Sequence, residues 1–216
     1  MKIKHLVSIA LLILISSSVF GFDPSELNRL TITNGTGSTI NYLFISPGDS
    51  ENWGPDMLGT DVLTNGASVA YFMHYPGTSG AFDILAVDDK NQRYEVRNFT
   101  LRDGTEGRIR LAANNRTSIQ QPQIVNVTVR NKTGYSITYM FFSPADSTMY
   151  GADILGDSKT LGAGETHTFG LLKTSQSVKY DFWAIDEDGD EYKFSYTVNP
   201  NRANQSVDLE LSDRVK

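Results

Sequence analysis

Two sets of acidic side chains in this sequence have the type and spacing to do chemistry. Asp186, Asp188 and Asp190 alternate within DEDGDE, and hard carboxylate oxygens gathered this way can hold Ca²⁺. The glycine stands in the wrong place for an EF-hand loop, and no bidentate glutamate follows at the required distance. The same residues also read as a hairpin turn, because Asp188-Gly189 is a favoured two-residue connection. The second set is Asp83 and Asp181, each interrupting an apolar strand, between Phe82 and Ile84 and between Tyr180 and Phe182. A carboxylate there is costly unless it is paired or hydrogen-bonded. It is either a catalytic or ligand-binding acid, or an internal acceptor for the N–H groups of the Trp53–Gly59 segment, and the second reading is preferred.

Further catalytic machinery is hard to assemble from these residues. Of the three histidines, His5 lies in the leading segment, and His74 and His167 stand apart with no metal-pair spacing. There is no GxSxG nucleophile elbow, no GxxxxGK[ST] and no GxGxxG. Pairs such as Asp88-Asp89 allow a glycosidase site on paper, as any acidic chain does. Zero cysteines exclude disulfides, thiolate metal sites and a thiol nucleophile. His74-Tyr75-Pro76-Gly77 is the most exposed aromatic candidate for a sugar or peptide contact. The net charge of −6, with Lys and Arg scattered, argues against nucleic acid and anionic lipid as partners.

The elements that position these residues are written twice. SPGDSENWGPDMLG (46–59) returns as SPADSTMYGADILG (143–156), and from 34 to 59 the identities number 14 of 26 positions at an offset of 97. The repeat continues with a one-residue shift, so FDILAVDDKNQRYEV (82–96) meets YDFWAIDEDGDEYKF (180–194). A period this long is the size of a small self-sufficient domain. The expected division is a first repeat over 22–112, a linker over 113–123 and a second repeat over 124–216.

Each repeat punctuates like a β-protein, with β-branched runs between turn signals. About six strands per repeat are expected in two tandem antiparallel β-sandwiches, immunoglobulin-like or similar, with a hairpin turn at Asn34-Gly35-Thr36-Gly37. The strand around Tyr180–Ile185 is mostly apolar on both faces and therefore central. The doubled segment reads as architecture: proline ends pairing, and Asp49 or Ser50 (Asp146 or Ser147) caps a single helical turn after the second strand. Trp53, Gly54, Asp56, Leu58 and Gly59, with Tyr150, Gly151, Asp153, Leu155 and Gly156, then pack and turn to close one end of each sandwich.

Residues 1–21 carry Lys2 and Lys4, an apolar run from Leu6 to Ile15 and a serine break, which together predict a secretory signal peptide cleaved after Gly21. No later stretch is apolar enough to span a bilayer. Export without cysteine suits a bacterial periplasm or exterior.

At the Ser-Pro…Trp-Gly-x-Asp-x-Leu-Gly segment and the late Asp-Glu-Asp-Gly-Asp-x-Tyr pair, the sequence resembles a group of small exported bacterial domains about one repeat long. Some carry an argininosuccinate lyase label that this length is too short to support. The resemblance covers both repeats and implies an exported module, here duplicated, without a catalytic residue. Tyr150 in place of tryptophan, and the missing acids of the first repeat, depart from the pattern. The expectation is a non-enzymatic binding or structural module of the cell envelope with a protein or glycan partner and no cofactor. The alternatives are a secreted hydrolase using the buried aspartates and a calcium-binding sandwich.

Overall fold

The computed structural model describes residues 22–157 and 159–215; the expected signal peptide lies outside them. The fold is all-β. The first repeat forms β1 (Asn28–Asn34), β2 (Ile40–Pro47), β3 (Ser68–His74), β4 (Ser79–Asp88), β5 (Gln92–Arg102) and β6 (Gly107–Leu111). A short strand, β7 (Arg116–Ile119), follows. The second repeat forms β8 (Ile124–Lys132), β9 (Ile137–Pro144), β10 (Gly151–Ala152), β11 (Thr166–Leu172), β12 (Val178–Asp186), β13 (Glu191–Val198) and β14 (Asn204–Glu210).

Each repeat is a sandwich of two sheets. In the first, β3-β1-β6 faces β2-β4-β5; in the second, β11-β8-β14 faces β9-β12-β13. Pairing is antiparallel except for β1 with β6 and β8 with β14, which run parallel. The connector is not loose, since β7 adds an edge strand to β5.

Asn34 does not make the expected hairpin, because β1 and β2 belong to different sheets. Its fully buried amide donates to Ser38 O and Leu63 O while its Oδ1 accepts from Thr36, fixing the crossover. Asn131 repeats this with Tyr135 O, Leu161 O and Thr133. A buried amide with these partners satisfies backbone groups that the sheet change leaves open.

The inner faces alternate as the pleat requires, with Leu30, Ile32, Ile45, Phe82 and Ile84 buried in one repeat and Val127, Phe142, Phe169 and Phe182 in the other. The outer face of the central sheet is also apolar. Phe44, Leu85 and Val87 are covered by Ile124 and Leu172 of the second repeat. Phe141, Trp183 and Ile185 are covered by Phe22 and Leu27 from the start of the first. Each sandwich thus uses the other to bury its second apolar face.

Candidate functional site: the groove between the repeats

The doubled segment lies between the repeats, and its contacts come in reciprocal pairs. Ser50 Oγ bonds Asp146 Oδ1 at 2.7 Å, and Ser147 Oγ donates to Asp49 Oδ1 at 2.7 Å. Asp56 N–H donates to Gly170 O of β11, and Asp153 N–H to Phe72 O of β3. These pairs exchange under a two-fold relation between the copies, the geometry of an isologous dimer interface built within one chain. The expected capping role of Asp49, Ser50, Asp146 and Ser147 is therefore corrected: they join the repeats. No helical turn follows β2 or β9. Gly54-Pro55 runs as a turn-flanked connection, while Gly151-Ala152 forms β10 and pairs with His74 and Met73 of β3. The backbone does not coil here because its polar groups are taken up across the interface and by Ser46, whose hydroxyl accepts from Gly54 N–H at 2.7 Å. Gly54 must be glycine, since a Cβ would stand 2.2 Å from Ile45 O.

Two buried carboxylates hold the turns. Asp56 Oδ1 accepts from Leu43 N and Leu58 N, and Asp153 Oδ1 from Met140 N and Leu155 N, at 2.9–3.2 Å. Burial pushes Asp56 up to about 6 and the fully enclosed Asp153 up to about 7, against the backbone hydrogen bonds that lower both. Asp153 Oδ2 has no partner among the described residues. These acids serve the Trp53–Gly59 segment and its copy, a role the sequence suggested for Asp83 and Asp181.

Asp83 instead accepts from Asn98 N–H at 2.7 Å and pairs with Arg97 Nη1 at 2.7 Å. The chain bulges there, between Phe82 and Ile84, and Asn98 takes a left-handed φ of 54°. Asp181 is only half-buried and accepts from Ser195 Oγ at 2.6 Å. Arg97 in turn lies 4.4 Å over the Trp53 ring. Tyr180 OH of the second repeat donates to Trp53 O. Tyr150, the counterpart of Trp53, packs on Trp183 at 5.1 Å. His74 is not exposed as expected: it sits 4.3 Å from Trp183, edge to ring, and Tyr75 is buried against Phe82. Burial, then the Lys193 ammonium, pull His74 down to about 4, with Glu191 opposing.

In the acidic turn, Asp186 Oδ1 accepts from Asp188 N and Asp190 N, and its Oδ2 from Tyr192 OH. Asp88 does the same with Lys90, Gln92 and Tyr94. Asp190 Oδ1 takes Arg214. The shared aspartate thus closes a hairpin in both repeats, and no group of three or more His, Cys, Asp or Glu side chains suited to one ion comes together among the described residues.

What remains open is a groove of about 720 Å³ on the axis between the repeats. Its floor is Met57, Leu58, Ile154 and Leu155, and its sides are β3 at residues 68–71, with Ala67 just before it, and β11 at residues 167–169. Tyr71 OH is tied to Met57 O. At the mouth stand Asp61, near Lys159, and Asp157, bonded to Arg29. The floor residues come from the doubled segment, so the retained Leu58 and Leu155 are buried at the interface rather than lidding separate sandwiches.

No family model matches the chain, and neither does a curated protein. Among solved structures it is similar to the TIE protein of Bacillus anthracis at 8% identity and a TM-score of 0.29, over 86% of this chain and 34% of that one. The chain therefore spans about a third of the length of that protein. A family-26 carbohydrate-binding module from Eubacterium rectale Amy13K, solved with maltoheptaose, aligns at 13% identity and a TM-score of 0.27, over 84% and 91% of the two chains. Fibronectin(III)-like modules of Clostridium thermocellum CbhA align at 10% identity and 0.19, over 84% and 90%. Likeness at these scores says nothing about the groove.

Proposed function

We propose that this chain is an exported, non-enzymatic binding or structural module of the bacterial cell envelope, acting as one two-repeat unit rather than as two beads on a string. The observation that carries the reading is the reciprocal interface. The segment retained most closely in both copies is committed to joining them, and the surface left open is a composite groove. The carboxylates that suggested a hydrolase support this assignment through their partners: Asp83 is occupied by Arg97 and Asn98, Asp181 accepts from Ser195, Asp88 and Asp186 hold hairpin amides, and Asp190 pairs with Arg214. A second hollow of about 410 Å³ beside Trp53, walled by Asn52, Gln120, Gln121 and Gln123, offers amides of the kind that meet sugar hydroxyls.

The test is sedimentation of the purified mature chain with isolated bacterial envelopes, with the supernatant assayed for released sugars and peptides. Binding without release is expected. Release abolished by Asp83→Asn or Asp181→Asn at unchanged melting temperature would return the protein to the hydrolases.

A further inference from the structure

The two strand edges that face the groove are unfinished. Asn34 N–H donates to Ala67 O, so the odd residues of β3 point their main-chain groups toward β1. The even residues then point outward, as Phe72 O does when it accepts from Asp153 N–H. The same parity holds in β11: Glu165 O faces β8, where it accepts from Asn131 N–H, and Gly170 O faces outward to Asp56 N–H. Ser68 and Ala70 on one edge, and Thr168 on the other, therefore aim main-chain N–H and C=O groups into the groove. No protein partner meets them among the described residues.

One edge already receives a strand. β10 pairs with His74 and Met73, the ladder continues with Asp153 N–H on Phe72 O, and the chain then turns away at Ile154–Gly156. Four residues of β3, about 13 Å of edge, lie beyond that point. An unpaired edge of this kind is a template for another strand. Here it is sunk beside an apolar floor that suits side chains on every second residue of an extended chain.

We propose that the groove takes an extended polypeptide segment of four to six residues, apolar at alternate positions, which continues the β10 ladder by pairing with Ala70 and Ser68 of β3. This deepens the binding-module reading and rests on it. Main-chain pairing supplies most of the recognition, so the occupant is defined by its extended backbone and alternation rather than by one side chain.

The probe is the peptide acetyl-Thr-Val-Thr-Val-Thr-Val-amide, added at millimolar concentration to the mature chain while amide hydrogen exchange is followed residue by residue. At least ten-fold slower exchange is expected at Ser68 and Ala70, with the inward amides Val69 and Tyr71 unchanged. Ala70→Pro deletes an N–H that bonds nothing among the described residues, at an edge position where proline is tolerated; it should abolish the protection at Ser68. Should that variant fail to fold, the same peptide N-methylated at every residue makes the test on the unaltered chain and should protect nothing. Protection by both peptides, or by neither, overturns strand pairing. Protection that appears without peptide and rises with protein concentration, alongside a dimer in sedimentation, overturns the peptide occupant in favour of a second copy. Envelope sedimentation with no peptide protection sinks this proposal alone, whereas protection without envelope sedimentation sinks the envelope reading alone.

Discussion

Replacing Asp153 by asparagine should change the pH dependence of stability in a way no surface substitution would. The carboxyl is fully buried, accepts two backbone N–H groups through Oδ1 and leaves Oδ2 without a partner among the described residues. Burial raises it from 3.8 to about 7, so the folded state holds this proton more tightly than the unfolded chain does. Its contribution is therefore whole below pH 3.8 and is lost as pH rises through about 7. Roughly three pH decades at about 1.4 kcal/mol each give a loss on the order of 4 kcal/mol between pH 4 and pH 8. Asparagine keeps the Oδ1 acceptor and cannot ionise. Its Nδ2–H replaces the orphan oxygen with an orphan donor, a cost of about 1–3 kcal/mol that does not vary with pH. The stability difference between Asp153→Asn and the unaltered protein should then move in favour of asparagine by about 2–4 kcal/mol from pH 4 to pH 8. Urea unfolding at each pH reads this directly, since Trp53 and Trp183 both lie in the clusters between the repeats. Asp56 contributes with the same sign in both proteins and cancels. Parallel pH profiles for the two proteins would refute the reasoning.

Trp183→Ala opens the cluster of Phe141, His74 and Tyr150 and should cost about 3–5 kcal/mol, read as a lower urea midpoint. His74→Leu copies Leu172, the residue at the same place in the second repeat. The folded pKa of His74 lies near 4, below the ordinary 6.5, so its contribution is whole above pH 6.5 and is lost as pH falls toward 4. Half-buried and screened, it should give the leucine variant about 1 kcal/mol at pH 5 relative to pH 7.5, measured by the same unfolding series. Asp186→Ala strips two amides and the Tyr192 hydroxyl of their acceptor and should cost about 3 kcal/mol. Calcium titrated against the unaltered protein should leave its melting temperature unchanged, and a rise would restore the acidic turn as a metal site.

The strands were legible because their pattern is local. Apolar alternation and turn residues marked all six core strands of each repeat, and the run Tyr180–Ile185, apolar apart from Asp181, announced a strand buried on both faces. What covers its second face was not legible, because Phe22 and Leu27 come from the other repeat. The same reason explains the misread caps. Ser50 and Ser147 do accept a main-chain N–H two residues on, but their hydroxyls also reach Asp146 and Asp49, almost a hundred residues away. Asp83 was expected to accept from the Trp53–Gly59 segment, yet its donors, Arg97 and Asn98, sit on the neighbouring strand, where sequence separation hides the register. The groove had a signal that was visible and attributed otherwise: Leu58, Gly59 and their copies are retained because they build a shared floor. β7 gave no signal, since its four residues are exposed and polar apart from Ile119.

Two identical subunits meeting about an axis must accept every change twice. Here the halves are one chain, and the two walls are free to differ: where β3 brings Val69, Ala70 and Tyr71, β11 brings His167, Thr168 and Phe169 at the corresponding places. A guest lying along the axis consequently has a right way round, and the tandem arrangement gives the molecule a polarity that a true pair of equals would lack.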